Sequence, residues 1–225
     1  SEIMERENKD MIVNMLYVRS SLERANESRR EMEAVNVKLL KQSETDQMTG
    51  LANRYRLNAY SEKVLDYCYE HRLPLAMEIL DIDFFKQYND NYGHQQGDEC
   101  IIAIANELKK MEDGQTFCAR YGGDEFIIIY AGISAEEVHA KAGALRQNIM
   151  NLKLEHLYSK ALPIVTISQG ISYGVPEEGN RSWDFLHTAD MLLYQVKKKS
   201  RNDICIADIR GQELDLSSKQ EKVEP

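Results

Sequence analysis

The run Arg120-Tyr121-Gly122-Gly123-Asp124-Glu125-Phe126 places two glycines able to take positive φ directly before two carboxylates, which lead into the apolar stretch Ile127, Ile128, Ile129. It constrains the fold strongly: the apolar arm must be buried while the acidic tip stays at the end of a turn. With glycine expected at both central positions of a two-residue hairpin, Thr116 to Arg120 and Phe126 to Tyr130 read as paired strands. Upstream, Leu80-Asp81-Ile82-Asp83-Phe84-Phe85-Lys86 ends a second apolar strand in carboxylates. Two acidic strand ends can meet around a hard cation and leave room for a triphosphate.

The remaining periodicities surround these strands with helices. Leu57, Tyr60, Val64 and Cys68 share a helical face, Pro74 breaks it, and Leu75 to Ile82 reads as a central strand. Ile101, Ile104, Ala105 and Leu108 form another helical stripe, ending before Asp113-Gly114. Ser134 with Glu137 is a capping box opening a helix striped by Val138, Ala142, Leu145, Ile149 and Leu152. A strand over Ile164 to Ile171, a helix carrying Leu186, Ala189, Leu193 and Val196, and a closing strand Ile204-Cys205-Ile206 follow. The order α, β, α, β, β, α, β, α, β predicts an α+β fold with a mixed central sheet flanked by helices.

From Glu2 to about Ser43 there is no Pro or Gly, and Met4, Met11, Val18, Ala25, Met32 and Leu39 recur at every seventh position. That column, beside a mixed one of Asn8, Met15, Leu22, Arg29, Asn36 and Ser43, predicts a marginal coiled coil and a homodimer. A single amphipathic helix resting on another surface fits the same stripe. The expected organisation is a helix over 1–43, a linker over 44–50, a catalytic domain over 51–207 and a disordered polar tail over 208–225.

A net charge of −9 argues against nucleic acid as a partner. Cys68, Cys100, Cys118 and Cys205 are widely spaced among apolar residues, as expected of reduced thiols in the cytoplasm. No apolar run reaches the length of a membrane span and the N-terminus is charged, so no direct membrane contact is expected. The opening on a helix suggests a piece of a longer parent, with room there for sensor domains or a membrane anchor.

Read as an ordered set, these segments resemble the GGDEF family of diguanylate cyclases, which join two GTP molecules into cyclic di-GMP. The resemblance rests on Asp46-Gln47-Met48-Thr49-Gly50-Leu51-Ala52-Asn53-Arg54, Asp81-Ile82-Asp83-Phe84-Phe85-Lys86, Asn89-Asp90, Tyr92-Gly93-His94 and Gly97-Asp98. The glycine-acid turn, then Asp190, Tyr194, Lys197 and Arg201-Asn202, complete it. It implies a fold akin to nucleotidyl cyclases and the polymerase palm.

By that resemblance Asp81, Asp124 and the carbonyl of Ile82 bind Mg²⁺, with Mn²⁺ as an alternative. The residues alone do not rank Asp81 above Asp83, which share one face of an extended strand. Asp124 also serves as proton acceptor, with Glu125 in support. Lys86, Lys197, Arg201 and the backbone amides of Phe84 and Phe85 are the triphosphate candidates, the two rings being assigned to the core. Asn89 and Asp98 are the guanine readers, and His94 touches either substrate or structure. The chain departs from the family where an Arg-x-x-Asp inhibitory motif would lie, since Asp113 and Thr116 hold its ends. Gln169 in a strand and Ser200 in place of a common glycine are further departures. A non-catalytic nucleotide-binding module and a plain coiled-coil scaffold are the rival readings.

Overall fold

The computed structural model describes residues 2–42, 44–214 and 216, with side chains in the first helix described at 11, 12, 14–36 and 39. The chain divides into two units, residues 1–44 and 45–225. The first is helix α1 (Glu2–Gln42). Met11, Val18, Met32 and Leu39 of the apolar column, with Met15 and Leu22 of its companion, are all exposed on it. The side chains of Met4 and Asn8, and the whole of Ser43, lie outside what is described.

The second unit runs α2 (Arg54–His71), β1 (Leu75–Ile82), α3 (Phe85–Tyr92), α4 (His94–Lys109), β2 (Thr116–Gly122), β3 (Glu125–Ala131), α5 (Ala135–Asn151), β4 (Ile167–Gly174), α6 (Ser182–Lys199) and β5 (Ile204–Asp208). The sheet order is β2-β3-β1-β4-β5. Only the β4–β5 pair is parallel, so the sheet is mixed as expected. Every residue of β1 is buried, as its near-continuous apolar run requires of a strand covered on both faces.

Strand alternation then sorts the core into two layers. Leu80, Ile82, Phe126, Ile128 and Tyr130 pack with Ile101, Ile104 and Leu108 of α4 and Val138 and Leu145 of α5. Met77, Ile79, Ile127 and Ile129 pack instead with Leu57 and Cys68 of α2 and Phe185 and Leu193 of α6. The capping box forms as read, with Ser134 and Glu137 each bonding the other's backbone.

Several expectations need correction. Helix α3 was not anticipated. Strand β4 begins at Ile167 rather than Ile164, because Ile164 bridges to Glu155 instead. The hairpin turn is centred on Gly123-Asp124: Gly122 still pairs with Glu125 after a bulge at Tyr121, and of the two glycines only Gly123 has positive φ, at 52°. Residues 45–50, read as linker, are tied to the second unit, since Thr45 bridges Ala52 and Arg120 pairs with Asp46. Beyond Asp208 the chain turns back, with Leu214 N–H bonded to Ile206 and Leu214 packed on the core. The rest of the expected disordered tail, 215 and 217–225, lies outside the described residues.

Both unexplained departures acquire a physical account. Ser200 has φ of −136°, a conformation open to any residue, so no glycine is required there. Gln169 donates through Nε2 to Glu78 Oε1 at 2.7 Å and to the Ala142 carbonyl at 3.2 Å, while Tyr130 donates to Glu78 Oε2 at 2.8 Å. It is thus half of a polar network buried between β1, β4 and α5.

Burial pushes the Glu78 carboxyl up to about 7, with Gln169 and Tyr130 opposing the shift. A raised folded pKa means the native state keeps a proton that the unfolded chain releases near 4.5, so Glu78 costs stability as pH rises from there to about 7. Relative to the native chain, Glu78→Gln should gain on the order of 2 kcal/mol between pH 5 and pH 8. Urea melts of both proteins at the two pH values measure that difference. A second prediction concerns Gly170 of β4, where a Cβ would overlap the backbone of Ala189 and Leu193. Gly170→Ala should force α6 off the sheet and destabilise the fold by about 3 kcal/mol, read from the urea midpoint.

Candidate active site

The β1–β3 register sets the acids. Leu80 faces Phe126 and Asp81 faces Glu125 across the ladder, so the ends of two strands distant in sequence bring Asp81, Asp124 and Glu125 together. Arg120 fixes the turn between β2 and β3: its guanidinium donates to the Gly123 carbonyl at 2.9 and 3.2 Å and to Asp46 Oδ1 at 3.2 Å. Asp46 is in turn bonded by the N–H and hydroxyl of Thr49, and these partners hold its carboxyl below the usual range against the effect of burial.

Asp81 and Asp83, equivalent in sequence, differ completely in space. Asp83 is fully buried and accepts from Ser168 Oγ at 2.6 Å, Thr166 Oγ1 at 2.8 Å, the Asn202 N–H at 2.9 Å and Arg201 at 3.4 Å. Its lone pairs are committed to holding β1, β4 and the end of α6 together. Asp81 makes one ion pair, with Lys197 Nζ at 2.8 Å. Burial pushes it up to about 6; Lys197 opposes the shift, and the nearby Asp124 and Glu125 charges add to it. Glu125 is also raised, chiefly by burial.

An open cleft of about 520 Å³ lies on the α3–α4 side of the turn, lined by Phe85, Lys86, Asn89, His94, Asp98, Arg120 and Asp124 among others. It collects half of the site residues singled out in the sequence: Phe85, Lys86, Asn89, His94, Asp98 and Asp124. Three of them come from the unanticipated α3, whose first turn presents Phe85 and Lys86 and whose second presents Asn89. Asn89 Oδ1 is buried without a partner, and Gly97 of α4 makes the space it occupies, since a Cβ there would overlap it. The orphan oxygen is turned into the protein against Gly97, while the exposed Asp98 carboxylate lines the same cleft.

The other candidates lie outside that cleft. Glu125 lines a separate groove of about 270 Å³ with Trp183, His187 and Asp190 of α6. Lys197 lies by Asp81, and Ile82 has its side chain in the core, leaving only its carbonyl for a ligand. The rings divide: Phe85 is core, as assigned, whereas Phe84 is partly exposed under the Arg201 guanidinium, 4.3 Å from the ring centre. Arg201 is therefore oriented by Phe84 and Asp83 together. At the place of the missing inhibitory motif, Lys141 bonds Asp113 at 2.8 Å and Thr116 at 3.0 Å, and that bond holds Asp113 down to about 2.

Comparison with known proteins places the chain in a family. A family profile described as diguanylate cyclase, GGDEF domain, matches residues 43–203. The probable diguanylate cyclase DgcC of Escherichia coli (strain K12) is 35% identical over 163 residues, covering 71% of this chain and 42% of the relative. The diguanylate cyclase DgcP of Pseudomonas aeruginosa is 33% identical over 190 residues, covering 83% of this chain and 28% of the relative. This chain thus spans less than half the length of both curated relatives. Among solved structures, the coiled coil and GGDEF domain of DgcB from Caulobacter crescentus, in complex with c-di-GMP, superimposes with a TM-score of 0.68 at 26% identity, covering 84% of this chain and 99% of that one. Because the matched region takes in both acidic strand ends and every wall of the cleft, the chain belongs to the GGDEF-domain family of diguanylate cyclases.

Proposed function

We propose that this chain condenses two GTP molecules into cyclic di-GMP with release of pyrophosphate. The observation that carries this reading is the antiparallel register that sets Asp81 beside Glu125, next to Asp124 of a cleft already holding Lys86, Asn89 and Asp98. Asn89 and Asp98 read guanine, whose N1–H and N2–H₂ donors suit a carboxylate and whose pattern adenine lacks. Lys86, Lys197, Arg201 and the amides of Phe84 and Phe85 take the triphosphate. Asp124 accepts the proton of the attacking 3′-hydroxyl.

The donor set suits a hard divalent cation, Mg²⁺ before Mn²⁺, held by Asp81, Asp124 and the Ile82 carbonyl. Among the described residues no three His, Cys, Asp or Glu side chains assemble a complete site, so the protein supplies part of the coordination and substrate oxygens the rest. Such a cation supplies charge neutralisation at the phosphates. One cleft holds one nucleotide, so mutual attack requires a second copy of the chain, and the exposed apolar column of α1 is the surface that recruits it.

All four cysteines are free and buried, which fits the reducing cytoplasm, and no described helix is long and apolar enough to cross a membrane. Feedback through the Arg-x-x-Asp position is not part of this reading, because Lys141 already engages both Asp113 and Thr116.

The deciding experiment incubates the chain with GTP and Mg²⁺ and identifies the product by mass. Cyclic di-GMP should form, with activity per chain rising with protein concentration, and Asp81→Asn and Asp124→Ala should each lower turnover about 100-fold or more without loss of fold. Nucleotide binding without product points to the non-catalytic module instead. Base choice has its own test. Gly97→Ala displaces Asn89 and should cut the preference for GTP over ATP about tenfold in competition binding, with unfolding midpoints checked alongside.

A further inference from the structure

We propose that His156 is a positioning residue for the triphosphate end of the cleft, acting through one backbone peptide. It lies on the segment between α5 and β4, outside every motif that carries the family resemblance. Its ring is fully buried, edge-on to Tyr88 and Tyr92 of α3, and its backbone is anchored by an N–H bond to the Pro163 carbonyl at 3.0 Å. Nε2 stands 3.1 Å from the Phe84 carbonyl. A carbonyl only accepts, so Nε2 carries a proton, and burial, which lowers the ring's pKa, favours the neutral tautomer with Nδ1 bare. Nδ1 has no partner, although it is buried. A phenyl ring would fill this apolar place without leaving a nitrogen unsatisfied. The bond to Phe84 is the one thing the imidazole does there that such a ring cannot.

Phe84 is where such a bond matters. It is the residue before α3 and sits in the left-handed region at φ 56° and ψ 32°, which a phenylalanine adopts only when its surroundings hold it. Four restraints converge on it: the buried Asp83 before it, the Arg201 guanidinium on its ring, and both His156 and the Tyr88 N–H on its carbonyl. No peptide among the described residues is cis, so with the Phe84 C=O directed at His156 the N–H of Phe85 points the opposite way. The first intrahelical bond is Tyr88 N–H to Phe84, at 3.0 Å, which leaves the N–H groups of 85 to 87 ahead of the helical ladder and available to an anion. His156 therefore joins the Tyr88 N–H in setting the plane of the peptide whose amide faces phosphate.

This rests on the GTP reading above, and the test separates the two. GTP with Mg²⁺, and guanosine alone, are titrated by calorimetry or NMR into the wild-type chain, His156→Phe and His156→Gln, with thermal melts of each. His156→Phe keeps the ring and removes the donor, so GTP affinity should fall about tenfold while guanosine affinity stays, because Asn89 and Asp98 are untouched. In turnover the loss should appear in KM more than in kcat. His156→Gln, which retains an N–H donor, should recover most of the GTP affinity. Unchanged GTP binding in a folded His156→Phe, or equal loss of GTP and guanosine, overturns the positioning role. So does a folded His156→Gln as weak as His156→Phe. Wild-type chain that binds no GTP overturns the reading of the site itself, and this inference with it.

Discussion

The pairing of β1 with β3 is the constraint on which the site depends. With Leu80 opposite Phe126 and Asp81 opposite Glu125, the buried apolar pairs behind the turn determine which acids meet in front of it. A slip of one residue would send the apolar side chains to the wrong layers, so the core enforces the acidic arrangement. Alternation also decides direction. Asp81 has the parity of Met77 and Ile79, which face α2 and α6, and it therefore meets Lys197 rather than the α3–α4 cleft. Asp124, on the turn itself, escapes that parity and reaches the cleft.

A second constraint is the division of labour between Asp81 and Asp83. Four donors, from Thr166 just before β4, Ser168 in β4, and Arg201 and Asn202 in the loop after α6, converge on Asp83, and a fully buried carboxylate so provided for is a structural joint. It stops β1, turns the chain at Phe84, and aims α3. Asp81 is left underprovided, with one cation and two acidic neighbours, which is why burial can lift it to about 6. Groups kept in that condition are more common at sites of chemistry than in joints.

The sequence was legible where one physical term dominated. β1 was read to its ends because eight apolar-rich residues lie between Pro74 and the acids, and the helix at Ser134 because its capping box is local. The cleft residues came from motif resemblance; their convergence came from α3. That helix was missed because eight residues make barely two turns and its exposed face is polar, so no period stands out. The turn was misplaced because two adjacent glycines satisfy two registers, and the choice belongs to the bulge at Tyr121. β4 was begun early because Ile164 and Val165 look like strand, yet they bond back to Glu155 and Leu154. Long-range partners such as Glu78 with Gln169, or His156 with Phe84, leave no local signal at all.

The two sides of the acidic turn are consequently unequal. On the α3–α4 side stand an exposed lysine, Lys86, a cleft-lining amide, Asn89, and an exposed carboxylate, Asp98. On the α6 side Lys197 is already paired with Asp81, and the groove beside Glu125 is walled by Trp183, Leu186, Ile127, His187 and Asp190. Carboxylate acceptors stand on both sides, Asp98 on the first and Glu125 with Asp190 on the second, but Lys86 and Asn89 belong to the first alone. A nucleotide seated by its base in the cleft carries its phosphates toward the α3 N-terminus and the acidic strand ends, where net negative charge forbids close approach without added cations. The acids leave a shortage of counter-charge that Lys86, Lys197 and Arg201 meet only in part, and the divalent ion proposed for this site would supply the rest.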